Sequence, residues 1–145
     1  MIHLTAQQQY EIAAHGERDY PHECCGLLLG QFDNGGLKVA CETYSISNAR
    51  EETAKRNRFL ITPEELLRGE RYAAQKLLDV IGFYHSHPDH PAVPSDYDRE
   101  HAWPTLSYII VSVRAGHATD VNSWTLKPDR SAFEQEEVVK GNSLC

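Results

Sequence analysis

The pattern of the chain predicts an α+β fold: one domain in which a mixed β-sheet is flanked by helices. Three observations carry this. Helical and strand patterns follow one another along 145 residues, a length that fits one domain with one core. Cys24 to Gln31 is almost continuously apolar, as a strand covered on both faces is, and the turn residues Asp33-Asn34-Gly35-Gly36 lead into a hairpin partner over Leu37–Ile46. A helical pattern opened by Thr62-Pro63 then delivers the chain into the β-prone residues Val80, Ile81, Phe83 and Tyr84, a local helix–strand unit.

The elements follow in order. Thr5-Ala6-Gln7-Gln8 starts a first helix as a capping box, running to about Tyr20 with a thin apolar face of Ala6, Tyr10, Ala13 and Ala14. Pro21 ends it. Ser47 to Arg58 is polar with alternating charges and reads as a surface loop bordering a groove. Phe59-Leu60-Ile61 is expected as a short strand. Thr62 caps the second helix, with Pro63 at its first position and Glu65 at its third. Leu66, Leu67, Ala73, Ala74, Leu77 and Leu78 recur at helical spacing to about Asp79. A short helix is expected from Asp96 to Trp103. Strands are expected over Ser107–Val113, Val121–Lys127 and Phe133–Val139, so the core spans about residues 4–139 and residues 140–145 form a frayed tail.

Composition narrows the function. Apolar residues at 41% and charged residues at 24% describe a globular protein. A net charge of −7 argues against a nucleic-acid partner, which needs a basic face. No apolar run reaches the length of a membrane span, and Met1-Ile2-His3 begins no signal peptide; the reading is cytoplasmic. The cysteines form no disulfide framework in this reading. Cys24 and Cys25 point to opposite faces of a strand, and a bridge from either to Cys41 suits the geometry but not a reducing compartment. Cys145 sits in the tail, and no C-x-x-C pair exists.

The chemistry concentrates in Gly82 to Asp98. His85 and His87 are two apart in a strand, so both imidazoles project from one face, as two ligands of one metal must. Pro88, Pro91 and Pro94 end the strand and stiffen a loop that returns to Ser95 and Asp98. Two His and one Asp leave a fourth tetrahedral position open, the mark of a catalytic zinc. Each part alone has a plainer reading. His-x-His describes two solvated histidines equally well, Ser95-x-x-Asp98 is also a capping box, and Glu23 at a strand entry is also a solvated charge.

Taken together, His85-Ser86-His87-Pro88, the loop to Pro94, and Ser95-Asp96-Tyr97-Asp98 resemble the signature of the JAMM (MPN-plus) metalloproteases. Pro21 to Gly30 resembles that family's upstream element, with Glu23 at its glutamate position. The resemblance implies the curved, cytidine-deaminase-like JAMM/MPN sheet and Zn2+ held by His85, His87 and Asp98. It further implies Glu23 as general base and Ser95 as oxyanion donor. It implies as substrate the Gly-Gly tail of a ubiquitin-like protein. For a chain with little room for long insertions, a small ubiquitin-like or sulfur-carrier protein is favoured over ubiquitin. His22 and His90 fall outside the motif and read as ordinary loop residues. The alternatives are a non-peptidase zinc amidohydrolase acting on a small amide, or a non-catalytic MPN scaffold. A zinc deaminase is disfavoured, because its H-x-E and P-C-x-x-C pattern is missing.

Overall fold

The computed structural model describes residues 1–50, 55 and 58–145. The chain runs β1 (Ile2–Leu4), α1 (Ala6–Asp19), β2 (Cys25–Phe32), β3 (Lys38–Ile46), α2 (Pro63–Gln75), β4 (Asp79–Pro88), α3 (Asp96–His101), β5 (Ser107–Arg114), β6 (His117–Leu126), β7 (Phe133–Glu136) and β8 (Val138–Lys140). The strands form one mixed sheet in the order β7-β6-β5-β4-β2-β3-β1-β8. β4 lies inside it, antiparallel to β2 and parallel to β5. Among the described residues, no helix is long and apolar enough to cross a membrane.

The sheet curls until its two ends meet on one stretch of chain. β7 and β8 are separated only by Glu137, yet β7 pairs with β6 and β8 pairs with β1. The expected single strand Phe133–Val139 is thus two short ones facing opposite neighbours. Glu136 sits at the seam, buried, accepting from Lys38 Nζ at 2.7 Å, Ser107 Oγ at 2.6 Å and Ser123 Oγ at 2.8 Å.

α1 begins at the expected capping box: Thr5 Oγ1 accepts from the Gln8 amide at 3.1 Å and Gln8 Oε1 from the Thr5 amide at 2.9 Å. Its inner face differs from the expected one. Gln8, Ile12, His15 and Gly16 are buried, whereas Tyr10 is 68% exposed. Polar residues face inward because each has a partner: Gln8 Nε2 donates to the Ala40 carbonyl at 2.9 Å and His15 Nδ1 meets the Tyr84 hydroxyl at 2.7 Å. Gly16 lets the helix approach closely, since a Cβ there would stand 3.0 Å from Val113 Cγ2.

α2 has the expected Thr62 cap, whose Oγ1 accepts from the Glu65 amide at 3.2 Å. It ends at Gln75 rather than Asp79. Leu77 takes a left-handed φ of 59°, and the Leu77 and Leu78 amides donate back to the Ala74 and Ala73 carbonyls, a Schellman stop. Leu77 is therefore outside, 86% exposed.

Of three buried apolar clusters among the described residues, one under α1 contains Cys24 and one under α2 contains Cys25, so the adjacent cysteines do face opposite sides; the third gathers Ala102, Tyr108 and Leu126.

Two further expectations are corrected, and one is untested. Phe59–Ile61 is not a strand: Leu60 is held by the loop, its amide on Asn48 Oδ1 and its carbonyl on the Ala49 amide, both at 3.0 Å. The surface loop expected over residues 47–58 lies partly outside the described residues. The tail is not frayed at its end. Lys140 belongs to β8, and Cys145 folds back to form a disulfide with Cys41 on β3, a bridge the cysteine spacing did not reveal.

Candidate active site

Three separate stretches build the site: the end of β4, the start of α3 and the entry to β2. In β4 the alternation of side chains puts His85 and His87 on one face, with their Nε2 atoms 3.1 Å apart. The proline loop brings the start of α3 against them. Asp98 Oδ1 lies 3.3 Å from His85 Nε2, and Asp98 Oδ2 lies 3.3 Å from His87 Nε2. Ser95 and Asp98 form the capping box as well: Ser95 Oγ accepts from the Asp98 amide at 3.1 Å, and the Ser95 amide donates to Asp98 Oδ2 at 2.8 Å. The cap aims the carboxylate, so the two readings of Ser95-x-x-Asp98 coexist.

Other contacts fix each imidazole. His87 Nδ1 donates to the Pro91 carbonyl at 2.9 Å, which orients the ring with Nε2 facing Asp98. His85 stacks on Phe59, ring centroids 4.7 Å apart, and its buried Nδ1 has no partner among the described residues. The preceding residue, Tyr84, is held from below by His15, whose Nε2 meets Asp19 Oδ2 at 3.2 Å. Burial lowers the His15 pKa against the pull of Asp19, so a neutral ring accepting from Tyr84 and donating to Asp19 fits this chain of contacts.

Glu23 enters from the segment before β2. Its neighbour Cys24 donates its amide to Ser86 Oγ at 2.8 Å, and Cys25 is paired in register with His85. The Glu23 side chain is buried, and one carboxylate oxygen lies within 4.8 Å of ring nitrogens of both histidines. Burial, reinforced by the nearby Asp98 charge, pushes its pKa up to about 9. Burial also pushes on Asp98, but His85, His87 and the Ser95 amide outweigh it and hold that carboxyl well below the usual range. Two carboxylates with opposite tendencies at one site are the arrangement that separates an acid–base group from a permanently ionised one.

The donor set fits a zinc ion. Ligand atoms about ~2.0–2.1 Å from a tetrahedral metal are ~3.3 Å from one another. His85 Nε2, His87 Nε2 and the Asp98 oxygens are spaced at 3.1 to 3.3 Å. Asp98 contacts both imidazoles at 3.3 Å, and Glu23 forms with the same two histidines a group whose ligand atoms lie within 4.8 Å of one another, so either carboxylate is within reach of an ion held by His85 and His87.

The site opens into a cleft of about 440 Å³ whose walls include Glu23, His87, Ser95, Tyr97 and Arg58. All five residues singled out in the sequence therefore converge. His90, read as an ordinary loop residue, also lines this cleft, while its carbonyl accepts from Ser112 Oγ at 2.6 Å. Sequence reasoning missed Asn48, Phe59 and Tyr97. Only the hydroxyl–x–x–acid spacing around Tyr97 and the charged loop before Phe59 pointed toward them.

Comparison with known proteins bears on family and fold. Residues 5–127 match the family described as prokaryotic homologs of the JAB domain. A desampylase of Haloferax volcanii is 34% identical over 116 residues, covering 77% of this chain and 80% of that protein. A desampylase of Pyrococcus furiosus is 31% identical over 120 residues, 81% of this chain and 76% of that one. A solution structure from Desulfitobacterium hafniense superposes with a TM-score of 0.85 at 32% identity, over 99% of this chain and 95% of that one. A JAB1/MPN domain protein of Archaeoglobus fulgidus shares the fold, with a TM-score of 0.60 at 19% identity over 98% of this chain and 100% of that one. The likeness read from His85, His87, Ser95, Asp98 and Glu23 thus holds for fold and family, and the chain belongs to the prokaryotic homologs of the JAB domain.

Proposed function

We propose that the protein is a zinc-dependent hydrolase that cuts an amide or isopeptide bond at the C-terminal Gly-Gly tail of a ubiquitin-like or sulfur-carrier protein. The observation that carries this is the convergence of His85, His87 and Asp98 at tetrahedral spacing beside a buried Glu23. The relatives named desampylase support the same class of activity. His85, His87 and Asp98 would hold a zinc ion, which would supply Lewis acidity to the attacked amide.

The remaining work falls to the chain. Glu23, which lines the cleft with His87 and Ser95, takes the proton of the attacking water on a carboxylate oxygen and returns it to the leaving amine. Ser95 Oγ accepts from the Asp98 amide, so its own O–H is left to donate to the oxygen of the attacked carbonyl. A diglycine tail suits the cleft, because a backbone without side chains can approach the buried Glu23 closely.

The test is mass spectrometry of a ubiquitin-like carrier extended beyond its Gly-Gly end, before and after incubation. The zinc-loaded protein should shorten it to the diglycine. Glu23→Gln should keep its zinc and slow the cut by ~10²–10⁴-fold, the usual worth of a positioned acid–base group. Turnover within a few-fold of the parent at full zinc loading would remove Glu23 from the mechanism.

A further inference from the structure

In a chain of net charge −7, two arginines gather on one ring at the wall of the cleft. Arg50 Cζ lies 5.4 Å and Arg58 Cζ 5.1 Å from the centroid of Tyr97. Arg50 is committed, its Nη2 donating to the Tyr97 hydroxyl at 2.5 Å, and that hydroxyl donates on to the Phe59 carbonyl at 3.3 Å. Arg58 faces the same cleft as Glu23, His87 and Ser95, and has no carboxylate partner among the described residues. Attraction to the ring face consumes none of its N–H donors. Asp96 also lines the cleft, but its side chain is 95% exposed and its cation is Arg99, at 4.0 Å.

Asn48 fixes the backbone from which Arg58 projects. Its Nδ2 donates to the Arg58 carbonyl at 2.9 Å and to the Glu23 carbonyl at 3.0 Å. Its Oδ1 accepts from the Arg50 and Leu60 amides, each at 3.0 Å. All four hydrogen-bonding places of one side-chain amide are spent joining the Glu23 segment to the arginine-bearing loop.

We propose that Arg58 is a specificity-determining residue that pairs with a substrate carboxylate beside the scissile bond, and that Asn48 is the positioning residue that holds it there. This rests on the hydrolase reading above. The carboxylate has two sources of one chemistry: the α-carboxylate of a residue released from the tail, or an acidic side chain next to an isopeptide-linked lysine.

The experiment measures binding by NMR titration of labelled, zinc-loaded protein carrying Glu23→Gln, so that probes survive. One probe pair is Ala-Ala-Gly-Gly-Ala as free acid and as carboxamide. The other is Ala-Ala-Gly-Gly linked to a lysine ε-amine in an amidated peptide, with glutamate or glutamine beside the lysine. One pair should show about 10-fold tighter binding of its acidic member, as a charge-assisted contact provides. The pair that responds identifies the source.

Adding Arg58→Ala should abolish that preference while leaving the neutral member's affinity unchanged, and Arg58→Lys should restore it in part. Asn48→Asp, which keeps the acceptors and loses both donors, should also erase the preference. Equal affinity within both pairs, a preference that survives Arg58→Ala, or no binding by any probe overturns the proposal. The hydrolase reading falls separately. An Arg58-dependent preference with an uncut carrier sinks that reading alone, and a cut carrier with no preference sinks only this one.

Discussion

Replacing Glu136 by Gln should destabilise the protein more than any exposed charge substitution, because Glu136 joins the two ends of the sheet. Glu136 is 7% exposed, and its carboxylate accepts from Lys38, itself 7% exposed, and from two buried serines; the Met1 amine lies 3.3 Å away. Gln keeps the shape and one acceptor, but leaves a buried ammonium without its counter-charge. Breaking such a pair costs about 3–5 kcal/mol, and partial escape of Lys38 to solvent favours the lower end, about 3 kcal/mol. At about 2.1 cal/mol/K per residue, 145 residues give an unfolding entropy of about 0.3 kcal/mol/K, so Tm should fall by about 10 °C.

Urea and thermal melts give the measurement, with pH as a second axis. Burial raises the Glu136 pKa, but Lys38, Ser107 and Ser123 outweigh it and hold it below the ordinary value. A depressed carboxyl contributes stability that is fully present above its unfolded pKa of about 4.3 and is lost as pH falls through the folded value. The gap between parent and variant should therefore narrow below about pH 4.3. Adding Lys38→Met should recover part of the loss. A loss under about 1 kcal/mol at neutral pH, or strict additivity of the two substitutions, would refute the reasoning.

Two further outcomes are expected. Cys145→Ser removes a bridge across 104 residues, for which the loop-closure relation gives up to about 4.7 kcal/mol; denaturant unfolding should show the variant matching the reduced parent, and a parent indifferent to reductant would refute this. Chelation should leave the circular dichroism of the fold intact, because the three apolar clusters are built from residues other than His85, His87 and Asp98; the spectrum of an unfolded chain would refute it.

What was legible in the sequence was whatever is local. His85 and His87 show their shared face through strand alternation, Ser95 and Asp98 through a cap, and α2 through Thr62-Pro63. What was not legible depends on partners far along the chain. Gln8 and His15 break the apolar face expected of α1 because Ala40 and Tyr84, 32 and 69 residues away, satisfy them. β1 has three residues, too few for a period, and owes its place to β3 and β8 on its two sides. The Cys41–Cys145 bridge and the Glu136 seam both join the end of the chain to its beginning. Asn48 looks like any loop asparagine until its four backbone partners are seen.

Ser95 offers the cleanest separation of structure from catalysis, because one side chain holds two roles that different substitutions divide. As the N-cap of α3 it accepts from the Asp98 amide at 3.1 Å, and that bond uses only a lone pair. The oxyanion role uses only the hydroxyl proton. Glycine is a tolerated N-cap that costs a few tenths of a kcal/mol, whereas alanine costs about 1 kcal/mol. Ser95→Gly should therefore melt close to the parent and Ser95→Ala below it. Both should lose ~10²–10³-fold in kcat, as removal of an oxyanion donor does. Zinc occupancy should stay near that of the parent in Ser95→Gly, since Asp98 Oδ2 still accepts the amide of residue 95. If the rate instead tracked the melting temperature, with Ser95→Gly nearly as active as the parent, Ser95 would be a cap that aims Asp98 and nothing more.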